Sequence, residues 1–173
     1  MKYLKIIIPI SILSLIFIID YYNKYYKPNT SFEAESIFLY VMKDDSIAFR
    51  DSISKYIKSE KTFYKVAEKL EYLGNKKTGR FKIKRDIGNN EIVNSLKFNN
   101  TPVNVTFNNQ ERVEDLAGRV SSQIYEDSIS LLSAFRNQDF LKTNNLNEKN
   151  VLSIFIPNSY NIYCCLLYTS PSP

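Results

Sequence analysis

Histidine is absent from all 173 residues, so carboxylates are the first groups to weigh for acid–base work in this chain. That absence removes the commonest general base and the commonest metal ligand. Two adjacent acid pairs stand out, Glu114/Asp115 and Glu126/Asp127. Neighbouring residues on a helix point about 100° apart, so neither pair converges on one reacting atom, and both are expected to be solvated helix surface. The only thiols, Cys164 and Cys165, are adjacent. Adjacent cysteines rarely meet disulfide geometry, and two thiols without further ligands make no zinc site. The residue set therefore calls for no metal and no cofactor. Tyr21, Tyr22, Tyr25 and Tyr26 could stack on sugar rings, but aromatic residues beside an apolar segment are better read as membrane-interface anchors.

Composition narrows the classes further. Hydrophobic residues make up 44% of the chain, enough to build a core. The net charge is +5, yet basic residues are interleaved with acids rather than gathered in a stripe, which argues against nucleic acid as a partner. Lys, Asn, Ile and Tyr share AT-rich codons, so much of the tyrosine content reflects base composition.

The elements that must position any chemistry begin with an anchor. Ile6 to Ile19 is apolar apart from Ser11 and Ser14, and covers only about 21 Å as a helix. Extension from Tyr3 to Tyr22 reaches about 30 Å, the thickness of the hydrocarbon layer. Tyr3, Tyr21 and Tyr22 suit the interfaces, Lys5 can snorkel, and Pro9 lies near the helix start. A cleaved leader is the rival reading, but the segment ends in Asp20-Tyr21-Tyr22-Asn23-Lys24, with no small-x-small site and no lipobox cysteine. Lys2 and Lys5 favour an N-terminus inside, although Lys24 and Lys27 flank the other end.

Residues 23–36 are polar, contain Lys27-Pro28-Asn29-Thr30 and read as a short stalk. Ile37 to Met42 reads as a buried strand. Asp44, Asp45 and Ser46 start a helix with Ile47, Ile53 and Ile57 on its apolar stripe and Phe49 and Tyr56 nearby. Thr62 is expected to cap a second helix through Phe63, Val66, Ala67 and Leu70, closed by Leu73-Gly74 with the glycine left-handed. Thr78 to Lys84 alternates like a strand, Gly88-Asn89-Asn90 turns, and Glu91 to Leu96 starts a short helix. Nothing between Gly79 and Leu96 forms a catalytic constellation. In a second unit from Pro102, Val103, Val105 and Phe107 mark a strand, Asn108-Asn109 a turn, and Val113, Leu116, Ala117 and Val120 a helix. Ile129, Leu132, Phe135 and Phe140 belong to further helical or turn segments, and Ile154-Phe155-Ile156 to an extended stretch ending at Pro157. The fold class is α+β.

Five segments then fall into a familiar order: Gly79-Arg80-Phe81-Lys82-Ile83, Asn90 to Leu96, Thr101 to Asn109, Glu114-Asp115-Leu116-Ala117, and Phe155-Ile156-Pro157-Asn158-Ser159-Tyr160. Across residues 1–163 the chain resembles the endolytic murein transglycosylase (MltG/YceG-like) family. The last segment is the most specific. The family carries a Pro-Asp-Thr-Tyr-like sequence there, and Asn158 and Ser159 resemble the variants of one branch of it.

The resemblance implies a transmembrane anchor (1–22), a stalk (23–36), a LysM-like α+β module (37–100) and the incomplete start of an α+β catalytic domain (101–163). It implies an inner-membrane protein facing the periplasm, with peptidoglycan glycan strands and the cell-wall synthesis machinery as partners. The family reaction splits the bond after N-acetylmuramic acid without water and leaves a 1,6-anhydro end. One carboxyl group, its pKa raised by burial, must protonate the leaving oxygen and then accept the 6-hydroxyl proton. The paired carboxylates of a hydrolase are not needed.

In the family that glutamate lies beyond the Tyr160 segment, and residues 161–173 hold no Asp or Glu. No catalytic residue is therefore assigned, and this chain is expected to be inactive. Asn158 and Tyr160 are the substrate-cleft candidates, because amides suit sugar hydroxyls and aromatic rings suit sugar faces. Cys165 to Pro173 reads as one frame of a transposon-end sequencing adapter, with Cys164 as an interrupted Trp codon, so residues 164–173 are expected to be non-native. The competing classes are a non-catalytic membrane-tethered cell-wall binding or division-scaffold protein, and a secreted protein with a cleaved leader.

Overall fold

The computed structural model describes residues 4–42 and 45–163. The tail from Cys164 onward, with both cysteines, lies outside the described residues, as does Asp44. The chain forms two compact units, Met1–Lys77 with Phe81–Asn100, and Thr78–Arg80 with Thr101–Pro173. The fold is mixed α+β with two small antiparallel sheets.

Helix α1 spans Leu4–Tyr25, 22 residues with Pro9 inside it, and is about 33 Å long. From Ile7 to Ile19 its side chains are exposed, and its length and composition suit a membrane span or a signal segment. The helix runs three residues past the Tyr22 end read from sequence. Tyr25 is buried and joins the core of the first unit, so it is not one of the interface tyrosines.

The first unit continues as β1 (Ser36–Val41), α2 (Ser46–Ser54), α3 (Glu60–Lys69), β2 (Gly79–Lys84) and α4 (Asn89–Phe98). This is the expected order of strand, helix, helix, strand, helix. β2 buries Phe81 and Ile83, and β1 contributes Leu39 and Val41 to the same core. The helices cover that face with Phe49 and Ile53, with Phe63 and Val66, and with Ile92 and Leu96. Tyr72 is fully buried, its hydroxyl finds no hydrogen-bond partner among the described residues, and burial pushes the phenol well above its usual pKa.

Several local expectations are corrected. Asp45 caps α2 as expected, by accepting from the Ala48 N–H at 2.7 Å, but Ile47 is 78% exposed. Two residues apart on a helix is a turn of about 200°, so Ile47 and Phe49 cannot share a face, and the fold buries Phe49 and Ile53 and turns Ile47 outward. Ser59, not Thr62, caps α3, and the Thr62 hydroxyl donates back to the Ser59 carbonyl at 3.1 Å. Asn89 and Asn90 are the first turn of α4 and not a turn before it.

The left-handed residue after α3 is Glu71, with φ 54°, and not Gly74. The Tyr72 N–H reaches the Ala67 carbonyl at 2.8 Å while the Glu71 N–H reaches that of Glu68, which is a Schellman closure. Burying Tyr72 fixes where the helix stops, and Glu71 takes the conformation that remains. A side chain there costs about 1 kcal/mol. Glu71→Gly is expected to raise stability by about 0.5 kcal/mol once the entropy lost by a more flexible unfolded chain is deducted, read as a higher urea midpoint.

The segment read as a stalk is packed into the first unit. Asn29 and Thr30 are 5% and 2% exposed. The Asn29 N–H donates to the Ile87 carbonyl at 2.9 Å, and the Lys58 N–H donates to the Asn29 carbonyl at 2.7 Å. The Asn29 carboxamide donates to Asn89 Oδ1 at 2.7 Å and to the Ser59 carbonyl at 3.0 Å, and accepts from the Ser59 N–H at 2.8 Å. Asn89 in turn donates to the Lys24 carbonyl at 2.7 Å. These bonds join the end of α1, the cap of α3 and the start of α4.

The second unit holds β3 (Val103–Phe107), α5 (Val113–Ser121), α6 (Ser128–Phe135), α7 (Gln138–Thr143), the 3₁₀ turn Val151–Ile154 and β4 (Asn158–Ile162). α5 packs against β3 and α6 against α5, with Val113, Leu141 and Val151 buried together. Leu131 and Leu141 are the buried positions of α6 and α7, whereas Ile129 is 80% exposed. The extended stretch expected at Ile154-Phe155-Ile156 is instead the end of the 3₁₀ turn and a loop, and the strand follows Pro157. β4 is exposed along its whole length, so no burial pattern marked it in the sequence.

Asp127 caps α6. It accepts from the Ser130 N–H at 2.7 Å, and that bond holds its carboxyl below the usual carboxylate range. A pKa lowered by folding gives stability that is complete above the unfolded value of about 4 and is lost as pH falls through the folded one. Asp127→Asn keeps an acceptor that does not titrate, so the acid limb of its unfolding profile is expected to be shallower than that of the wild type.

Candidate functional site

The two cleft candidates lie on β4, and β3 positions them. β3 alternates buried and exposed residues, which turns Val103, Val105 and Phe107 to one face and Asn104 and Thr106 to the other. β4 pairs with it antiparallel, Tyr160 opposite Val105 and Asn158 opposite Phe107. Since opposite residues in a ladder share a face, Asn158, Tyr160 and Ile162 lie on the side of the three apolar β3 residues. The other face is a polar ladder, in which the Thr106 and Ser159 hydroxyls are 2.7 Å apart and Asn104 donates to Asn161 at 3.3 Å.

The structure thus brings Asn158 and Tyr160 to one face, about 7 Å apart along the strand. Their surroundings differ. The Tyr160 ring stacks on Phe107 with centroids 5.6 Å apart and planes 19° from parallel, and its hydroxyl donates to the Ile156 carbonyl at 2.6 Å. It forms part of the wall of a groove of about 460 Å³, with Val105, Ile124, Leu131 and Phe155. Asn158 does not line that groove, and its side-chain oxygen accepts from the neighbouring Ser159 N–H at 2.8 Å. A ring fixed at its hydroxyl end and stacked on Phe107 by one face can offer the other to an apolar or sugar surface, while Asn158 is exposed.

Two residues of this region were not singled out for these roles in the sequence. Gln123 closes the outer edge of β3: its side chain accepts from the Thr106 N–H at 2.9 Å and donates to the Thr106 carbonyl at 2.9 Å. One amide thereby mimics a neighbouring strand. Glu126 lines the apolar groove, and its Oε1 is buried with no hydrogen-bond partner among the described residues. The expectation that Glu126/Asp127 is solvated helix surface is corrected: both precede α6, one half-buried in the groove and one capping the helix. Glu114 and Asp115 are exposed on α5, and Glu114 pairs with Arg136. Neither acid pair converges. Among the described residues no three Cys, Asp or Glu side chains gather as a metal site.

The chain defined here is a mixed α+β protein with one apolar N-terminal helix long enough to span a membrane. No family model matches it, and neither a curated protein nor a solved structure does.

Proposed function

We propose that this chain carries the membrane anchor, the glycan-facing module and the first part of the catalytic domain of an endolytic peptidoglycan lytic transglycosylase. In this reading α1 is an uncleaved single-pass anchor in the bacterial inner membrane, its N-terminus cytoplasmic and both units periplasmic. The supporting observation is the pairing of Val103–Phe107 with Asn158–Ile162. It sets side by side the two segments that carry most of the resemblance, separated by some fifty residues of chain, and lays Tyr160 along an open groove. The strand, helix, helix, strand order of the first unit also fits a LysM-like module.

Glycan scission needs one protonated carboxyl aimed at the bridging oxygen. Among the described residues Glu126 is the one carboxylate lining the groove, and the family acid is expected beyond the Tyr160 segment. The reading is tested by recovering the parental open reading frame and assaying its product on purified sacculi. The expected result is release of 1,6-anhydro-muropeptides, lost on Glu→Gln replacement of an acid encoded after Tyr163, while the 173-residue chain releases none. A native stop codon soon after Tyr163 would overturn it in favour of a non-catalytic wall-binding or scaffold protein. Release of anhydro ends by the 173-residue chain would overturn the placement of the acid.

A further inference from the structure

We infer that the groove where α1 meets α3 binds the headgroup of an anionic phospholipid. The inference rests on reading α1 as an uncleaved membrane anchor. Phe17, Ile18, Asp20, Tyr21, Lys24 and Tyr25 of α1 form one wall of a groove of about 540 Å³, and Lys65, Val66 and Lys69 of α3 form the other. Four residues of helix rise about 6 Å, so the Phe17–Ile18 end lies one turn deeper in the bilayer than Tyr21 and two turns deeper than Tyr25. The deep end is apolar and suits an acyl chain; the shallow end presents ammonium groups at the depth of lipid phosphates.

Charge separates the lysines into two sets. Lys24 and Asp20 line the groove as an exposed ion pair one turn apart, so together they add no net charge to it. Lys65 and Lys69 are exposed, four residues apart on one face of α3, and make no ion pair among the described residues. Like charges at that spacing repel, and an anion between them relieves the repulsion. Glu68, the acid beside them on α3, does not line the groove. A neutral sugar would leave the two cations unmatched, and a free anion would leave Phe17 and Ile18 unused. A lipid phosphate with its acyl chain meets both requirements.

The groove is preformed. Ser59 caps α3, and the Asn29 carboxamide clamps the Ser59 backbone while Asn89 holds the Lys24 carbonyl at the end of α1. Both walls are therefore fixed by a buried network before any lipid arrives.

The full chain, reconstituted into vesicles of equal phosphatidylglycerol and phosphatidylcholine, is examined by native mass spectrometry for retained lipid. The expected result is an enrichment of phosphatidylglycerol adducts on the order of tenfold, falling to near parity in K65E/K69E. Both lysines are exposed, so the variant should keep its far-UV circular dichroism. Equal retention of the two lipids by the wild type, or enrichment unchanged in K65E/K69E, overturns the site. Loss of the enrichment in millimolar inorganic phosphate at constant ionic strength also overturns it, by reducing it to a simple anion site. Flotation with vesicles and resistance to carbonate extraction are measured on the same samples. Their failure overturns the anchor reading itself, whereas a chain that floats without lipid preference overturns only the headgroup site.

Discussion

Gly88→Ala is expected to destabilise the first unit by about 3 kcal/mol. The φ of Gly88 is −83°, which any residue can adopt, so the glycine is needed for space and not for conformation. An added Cβ would lie 2.6 Å from the Tyr26 carbonyl carbon and oxygen, and 2.7 Å from the Tyr25 carbonyl oxygen. All three are backbone atoms at the exit of α1, so no side chain can swing away to make room. Either the α1 exit shifts or α4 does, and both are tied into the Asn29–Asn89 network. Urea denaturation of the full chain in detergent micelles, followed by circular dichroism, measures the loss. Gly74→Ala is the control: its Cβ would meet nothing within 4 Å, and it is expected to change stability by no more than about 0.5 kcal/mol. Equal behaviour of the two variants would show that the exit of α1 is free to move.

Asn29→Ala is expected to cost a similar amount, about 3 kcal/mol, by a different route. The side chain is buried and makes three hydrogen bonds, two with the Ser59 backbone and one with Asn89 Oδ1. Truncation leaves the Ser59 N–H and the Asn89 oxygen without partners, and each buried orphan carries its desolvation cost. The remaining bond from Asn89 to the Lys24 carbonyl should loosen, because its orientation depends on Asn29. Hydrogen exchange is expected to accelerate at Lys58 and Ser59 and in the first turn of α4, while amides of β3 and β4 in the second unit stay protected. A loss below about 1 kcal/mol would mean that water replaces the carboxamide.

Asn29 lies in the segment that reads as a short stalk, and Gly88 packs against the backbone at its start. Lys27-Pro28-Asn29-Thr30 has the composition of a turn, and composition reports local conformation but not what the turn meets. Asn29 meets Ser59 and Asn89, thirty and sixty residues away, and only the folded chain brings those groups together.

The cleft candidates illustrate the same division. That Asn158 and Tyr160 share a face follows from the period of two once they lie in a strand. That they do lie in a strand was not legible, because β4 buries none of its side chains and its partner is some fifty residues upstream. Glu126 and Gln123 are ordinary polar residues in sequence, and their roles follow from proximity to Phe107 and Thr106 after folding. Glu71 makes the point for helix ends. A glycine was the expected left-handed residue, but burial of Tyr72 set the stop three residues earlier.

By itself the sequence determined the apolar N-terminal helix, the strand, helix, helix, strand, helix order of the first unit, and the strand and helix that open the second. The first helix and first strand are continuous apolar runs and the others repeat apolar residues at the period of their own backbone, signals that need no partner to be read. Only the tertiary structure decided which isoleucines face outward, which residue closes α3, how α1 is joined to α3 and α4, and where β4 lies. Those outcomes depend on hydrogen bonds and contacts between residues far apart in the chain, and no local pattern encodes them.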